Sequence, residues 1–134
     1  MVVDSSALVE LILRRPENQR VRATLEFASV VRIGAPTLVE CAIVLRNKLG
    51  RDPNPEIELF LRAFDVEVIP FTEDHATEAH RAFAAYGRGR HPAALNFGDC
   101  LTYAVASKSA EPLLFVGEDF RRTDIAEATS AQAG

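Results

Sequence analysis

Long hydrophobic runs are missing from this 134-residue sequence: apolar stretches such as Leu8-Val9 and Leu11-Ile12-Leu13, either side of Glu10, fall far short of the roughly 18 residues a membrane span needs. Asp4 comes before any Lys or Arg, so the start does not read as a secretory leader, and a cytoplasmic protein without membrane contact is expected. Cysteine is scarce. Cys41 and Cys100 are too few for a disulfide framework or a four-ligand zinc site, and each lies in an apolar helical pattern where a free thiol behaves as a small hydrophobe. Positive charge is not in excess either, since the net charge is -4, which weakens the case for a uniformly basic nucleic-acid-binding face. The distribution is uneven, however: residues 1–51 carry eight Lys or Arg against five Asp or Glu, residues 52–86 two against eight, and the remainder five against six. Acid is concentrated in the middle, and both flanks can still offer local basic patches. Internal repeats, low-complexity segments and interdomain linkers are absent as well. A hydrophobic fraction of 48% with 25% charged residues fits an ordinary globular chain, expected as a single domain over 1–128 with a short flexible tail over 129–134.

What is present alternates. Met1-Val2-Val3 reads as a short strand, Asp4-Ser5-Ser6 as a turn that caps a helix, and Ala7, Leu8, Leu11 and Ile12 as that helix's apolar face. Pro16 suits the first position of a second helix carrying Val21, Leu25 and Ala28. Val30 to Ala35 reads as a strand, and Pro36-Thr37 opens a helix that stops at Gly50. After the Asp52-Pro53-Asn54-Pro55 loop come a helix from Glu56 to Phe64, a strand around Val66, Val68 and Ile69, and a helix from Glu73 to Tyr86 with Ala76, Ala79, Phe83 and Tyr86 inward. His75 and His80 fall away from that apolar side and read as surface residues. The irregular Gly87-Arg88-Gly89-Arg90-His91-Pro92 stretch leads to a helix from about Asn96 to Ser109. Pro112 to Val116 then reads as a buried strand, with a last short strand near Ile125. Strands separated by helices imply a three-layer α/β/α sandwich around a mostly parallel sheet.

Four carboxylates stand out because their surroundings give them no structural reason to be there. Asp4 is the only charge among the first nine residues, at the end of a strand that a parallel sheet would bury. Glu40 is the only charge between Thr37 and Leu45, Asp99 the only one between His91 and Ser107, and Asp119 follows the last strong strand across Gly117-Glu118. Each alone has an ordinary reading: Asp4 and Asp99 as helix caps, Glu40 paired with Arg46, Asp119 as an exposed turn residue. Together they map to the edge formed by strand C-termini and helix N-termini, where open α/β sheets bind ligands. Two like unit charges about 4 Å apart repel by roughly 4 kcal/mol at an effective dielectric near 20, so such a cluster protonates in part or recruits a divalent cation. Oxygen ligands alone favour Mg²⁺ or Mn²⁺ over zinc.

These segments resemble the PIN-domain family, and within it the VapC ribonuclease toxins, over nearly the whole chain. Val2-Val3-Asp4-Ser5-Ser6-Ala7-Leu8 is similar to the family's opening strand and first acid, and Thr37-Leu38-Val39-Glu40 to its second. The block from Gly87 through Asn96-Phe97-Gly98-Asp99-Cys100 carries the third acid, and Leu113 to Phe120, followed by Thr123-Asp124-Ile125, the fourth. The resemblance implies an endoribonuclease dependent on Mg²⁺ or Mn²⁺, the toxin of a toxin-antitoxin pair, dimeric and silenced by a cognate VapB-like antitoxin. Asp4, Asp99 and Asp119 would be inner metal ligands, with Glu40 ligating or orienting the attacking water. Ser6 is expected to support a ligand carboxylate or to cap its helix, Asn96 to cap the helix of Asp99 or touch substrate, and Asp124 and Glu118 to stand in reserve. Arg88, Arg90 and His91 are candidate contacts to RNA phosphates. A catalytically silent PIN-like module that binds RNA or protein is the rival reading, and the full set of mutually repelling acids argues against it. A phosphoryl-transfer domain with Asp4 as nucleophile wants a second aspartate two residues on, where Ser6 stands, or a nearby lysine, and the only lysines are Lys48 and Lys108. A dinucleotide-binding domain wants glycines in place of Asp4-Ser5-Ser6.

Overall fold

A computed structural model describes residues 1–131. Of the tail expected to be flexible, residues 129–131 are exposed and 132–134 lie outside the described residues. The elements in chain order are β1 (Val2–Val3), α1 (Ser5–Ile12), α2 (Asn18–Phe27), β2 (Arg32–Gly34), α3 (Ala35–Leu49), α4 (Asn54–Ala63), β3 (Glu67–Ile69), α5 (Glu73–Tyr86), α6 (Phe97–Ser109) and β4 (Leu113–Leu114), followed by a 3₁₀ turn over Asp119–Arg122. The four strands form one sheet in the order β3-β2-β1-β4, and every pairing is parallel.

Successive strand residues point to opposite faces, and here that alternation divides the core in two. Val3, Ile33 and Leu114 pack with Leu8 and Leu11 of α1, Val21 and Leu25 of α2 and Phe60 of α4. Val2, Leu113 and Phe115 pack on the other face with Ala79 and Ala82 of α5 and with Tyr103, Ala104 and Val105 of α6. Helices on both faces of a parallel sheet make the expected three-layer sandwich. Cys41 and Cys100 are buried and free, as the sequence suggests.

Several local expectations change under tertiary contact. Pro16 does not open the second helix. The buried Glu10 carboxylate accepts the Glu17 N–H at 2.7 Å, a turn closes from Asn18 N–H to Arg15 C=O, and α2 begins only at Asn18. The strand expected from Pro112 to Val116 pairs as a ladder only over Leu113–Leu114, because the Val116 N–H is taken by the Ser6 hydroxyl at 3.0 Å. The last strand near Ile125 is a single parallel bridge between Leu113 and Glu127. Along α5 the buried residues are Ala79 and Ala82, whereas Phe83 is turned outward beneath the Arg90 guanidinium, 5.6 Å from its ring centre. His80 is exposed, while the half-buried His75 caps α5, its Nδ1 accepting the Thr72 N–H at 3.0 Å. The end of α3 follows the expectation, with Gly50 in the left-handed region at φ 70° and its N–H returned to the Arg46 carbonyl.

Candidate active site

Asp4 follows the two-residue β1 and serves as the N-cap of α1, its Oδ2 accepting the Ser6 N–H at 3.1 Å. The same oxygen accepts the Ser6 hydroxyl at 2.6 Å. Since Ser6 Oγ in turn receives the Val116 N–H, one serine ties the acid after β1 to the chain leaving β4. Asp4 therefore caps its helix, and it is also only 4% exposed, far more buried than capping needs. Burial pushes its carboxyl upward against the hydrogen bonds of Ser6, Thr102 and Ser5, which pull it down.

Glu40 lies in the second turn of α3, on the side facing α6. Its carboxyl is also raised, first by burial and then by the charge of Asp4, with a hydrogen bond to the Ser5 side chain opposing. Arg46, its alternative partner by sequence, pairs instead with Asp52 at 3.5 Å. Asp99 occupies the third position of α6 in a reciprocal capping box: Asn96 Oδ1 accepts the Asp99 N–H at 2.9 Å, and Asp99 Oδ2 accepts the Asn96 N–H at 3.1 Å. A carboxylate there gains from the helix N-terminus. Burial nevertheless outweighs that backbone bond, and with the charges of Asp4, Asp119 and Glu40 it pushes the Asp99 carboxyl up to about 6. Asp119 begins the 3₁₀ turn and is exposed. Three of the acids thus act electrostatically on the fourth, which places all of them at one end of the molecule.

No ion pair among the described residues involves any of these four acids. Their donors are oxygens only, the chemistry of a hard divalent cation. As they stand, no three His, Cys, Asp or Glu side chains among the described residues already enclose a common ion. The site is therefore a convergence of charge rather than a closed cage.

Other expected site residues fall differently. Asn96 caps α6. Asp124 is drawn away to accept the Tyr103 hydroxyl at 2.6 Å, and that hydroxyl also receives Arg81 at 3.2 Å, so the phenol is pushed up to about 12, chiefly by burial. Arg88 and Arg90 are exposed on the segment leading to Asn96. His91 is half-buried against Tyr86, and its Nδ1 accepts the Ala93 N–H at 3.0 Å, a structural use of the ring. Three contributors escaped the sequence reading. Thr37 and Thr102 hydrogen-bond each other at 3.1 Å where α3 meets α6, and Arg122 donates to the Pro92 carbonyl at 3.4 Å, joining the turn of Asp119 to the arginine-bearing loop. The lone polar Thr102 in the apolar run of α6 was the available signal. Beside the acids, a groove of about 530 Å³ is lined by Thr37, Glu40, Ile43, Phe97, Gly98 and Leu101 among others, with Val39, Ile43 and Phe97 strongly exposed.

A family profile for the PIN domain matches residues 1–126. Ribonuclease VapC36 of Mycobacterium tuberculosis is 45% identical over 126 residues, covering 93% of this chain and 91% of its own length. Among solved structures, VapC20 of Mycobacterium tuberculosis, a sarcin-ricin-loop-cleaving toxin, superposes with a TM-score of 0.78 at 18% identity over 96% of this chain and 98% of its own. A toxin-antitoxin complex from Klebsiella pneumoniae aligns with a TM-score of 0.66 at 19% identity over 89% of this chain and 88% of its own. With its parallel sheet, its acids at one edge and near-complete coverage by these relatives, the chain belongs to the PIN-domain family, in its VapC ribonuclease branch.

Proposed function

We propose that this chain hydrolyses RNA phosphodiester bonds as a divalent-metal-dependent endoribonuclease, the toxin of a toxin-antitoxin pair, with Asp4, Glu40, Asp99 and Asp119 as its working carboxylates. The observation that carries the reading is Asp99: a half-buried acid lifted to about 6 by burial and by the charges of the other three. A Mg²⁺ or Mn²⁺ ion held by Asp4, Asp99 and Asp119 would supply Lewis acidity and a lowered pKa for the attacking water. Glu40, at the rim of the groove, would ligate as a fourth acid or orient the attacking water. Ser6 holds Asp4 in one rotamer, and Asn96 does the same for the first turn of α6. Arg88 and Arg90, with Arg122 beside them, offer cations for RNA phosphates on the loop that delivers Asp99, and His91 steadies that loop.

A VapB-like antitoxin and a homodimer belong to the same proposal. The exposed Val39, Ile43 and Phe97 supply the kind of apolar face a protein partner covers, and the toxin-antitoxin complex of similar fold supports the first partner. No helix among the described residues is long and apolar enough to cross a membrane, and action in the cytoplasm belongs to the same proposal. The decisive assay incubates the purified protein with mixed RNA in Mg²⁺, in Mn²⁺ and in chelator, beside Asp4→Asn. Cleavage is expected only from the wild type with a divalent ion. Cleavage that persists in chelator or in the variant overturns the mechanism.

A further inference from the structure

Gly98 stands at the second position of α6, where a glycine lowers helix stability without an evident need for its conformational freedom. What a side chain there would meet explains it. A Cβ at Gly98 would come within 2.5 Å of Glu40 Oε2 and 3.2 Å of its Cδ, and its three nearest neighbours are all atoms of that one carboxylate. At Gly34 the nearest obstacle is instead Val105 in the core, and at Gly87 it is the backbone and ring of Phe83. Those glycines serve the fold. The obstacle at Gly98 is the free end of a flexible side chain that contributes nothing to the core.

The helix pairing shows why the carboxylate arrives there. Thr37 of α3 meets Thr102 of α6 through their hydroxyls, and one turn further along α3 Glu40 meets Gly98, one turn back along α6. Contacts that advance on one helix while retreating on the other describe an antiparallel crossing, pinned at one point by the threonine pair. The spacing set at that point leaves, one turn away, the Glu40 carboxylate lying against the bare backbone of Gly98. Glu40 thus lies against the first turn of α6, at the residue next to Asp99.

We infer that Gly98 is a positioning residue for Glu40: its missing side chain is the space in which that carboxylate is presented to the reaction. The inference rests on the reading of Glu40 as a working acid. A methyl group at 98 is accommodated by displacing Glu40 rather than by shifting a helix, so the fold survives while the acid is misplaced. Displacement of a catalytic group by about 1 Å costs on the order of 100-fold in rate. Alanine is also the better helix former, so stability should move in the opposite direction to activity.

The test is a cycle of four proteins, wild type, Gly98→Ala, Glu40→Ala and the double variant, each measured twice. Cleavage of a defined RNA is followed with Mn²⁺, and melting temperature is followed in chelator, where no metal enters. For Gly98→Ala we expect kcat to fall about 100-fold with KM within about twofold of wild type. In the melts, the substitution should raise the midpoint by up to roughly 4 °C once Glu40 has been cut back to alanine, and by clearly less while Glu40 is present. Equal melting shifts in both backgrounds overturn the inference, because the methyl and the carboxylate would then not compete for one space. Full kcat in Gly98→Ala beside an inactive Glu40→Ala also overturns it, while leaving the site reading intact. Undiminished cleavage by Glu40→Ala removes the site reading for Glu40, and with it any role for Gly98 in activity.

Discussion

Replacing Asp99 with asparagine should make the metal-free protein more stable at neutral and basic pH, an unusual result for a change at a half-buried position. The folded-state carboxyl titrates at about 6 against 3.8 for the unconstrained group. Between those values the folded chain binds more protons than the unfolded one, so stability declines as pH rises through that window and the full penalty is present above it. Two units correspond to about 3 kcal/mol, and partial exposure of the group to water reduces this to about 1–2 kcal/mol. Asparagine keeps an amide oxygen that can accept the Asn96 N–H, so the capping box survives, but it forfeits about 0.5 kcal/mol of attraction to the helix N-terminus. The net expectation is about 1 kcal/mol, or roughly 3–5 °C in melting temperature for a chain of this size. Melting curves in chelator at about pH 8 and about pH 4 test it, because at the lower pH the folded carboxyl is protonated and the unfolded one nearly half so, which leaves only a small part of the penalty and lets the advantage vanish or reverse. If Asp99→Asn melts no higher than wild type at pH 8, or if the difference is the same at both pH values, the four acids do not share one electrostatic site.

Saturating Mn²⁺ should raise the wild-type melting point, with a ligand at 100 times its dissociation constant contributing about 2.7 kcal/mol, and the gain should be smaller in Asp99→Asn; identical gains would place the ion elsewhere. Ser6→Ala removes the 2.6 Å bond to Asp4 and strands the Val116 N–H, so a loss of about 1–3 kcal/mol by denaturant titration is expected together with slower cleavage. Wild-type stability and rate in that variant would contradict the supporting role. Arg88→Ala and Arg90→Ala should weaken binding of single-stranded RNA across sequences, each lowering the slope of log affinity against log salt by about 0.7, as filter binding over a salt series would read. An unchanged slope would mean that these arginines do not meet phosphate.

Much of this architecture is legible before any coordinates because its signals are local. The span of α5, Glu73–Tyr86, follows from Pro70 ahead of it, acids in its first turn and Gly87 behind it. Gly50 ends α3 because a left-handed residue must, and Asn96 caps α6 through its own side chain. Asp4, Glu40 and Asp99 could be singled out for a related reason, since a lone charge in an apolar run costs too much to be there without a use, and Asp119 by its place just past the last strand. Placement among non-neighbours was beyond such signals. Glu10 is a surface acid by composition, yet it captures the Glu17 N–H and delays α2 past Pro16. Asp124, adjacent in sequence to the closing motif, is claimed by Tyr103 from another helix. Thr37 and Thr102 are 65 residues apart and look like fillers until the crossing of α3 and α6 brings their hydroxyls together. Residue types and their local spacing determined which elements form and which side chains are chemically out of place. Which carboxylates face one another, which are drawn off by a hydroxyl, and where a glycine must leave room were decided only when helices distant in the chain packed, because the energies involved fall off within a few ångströms.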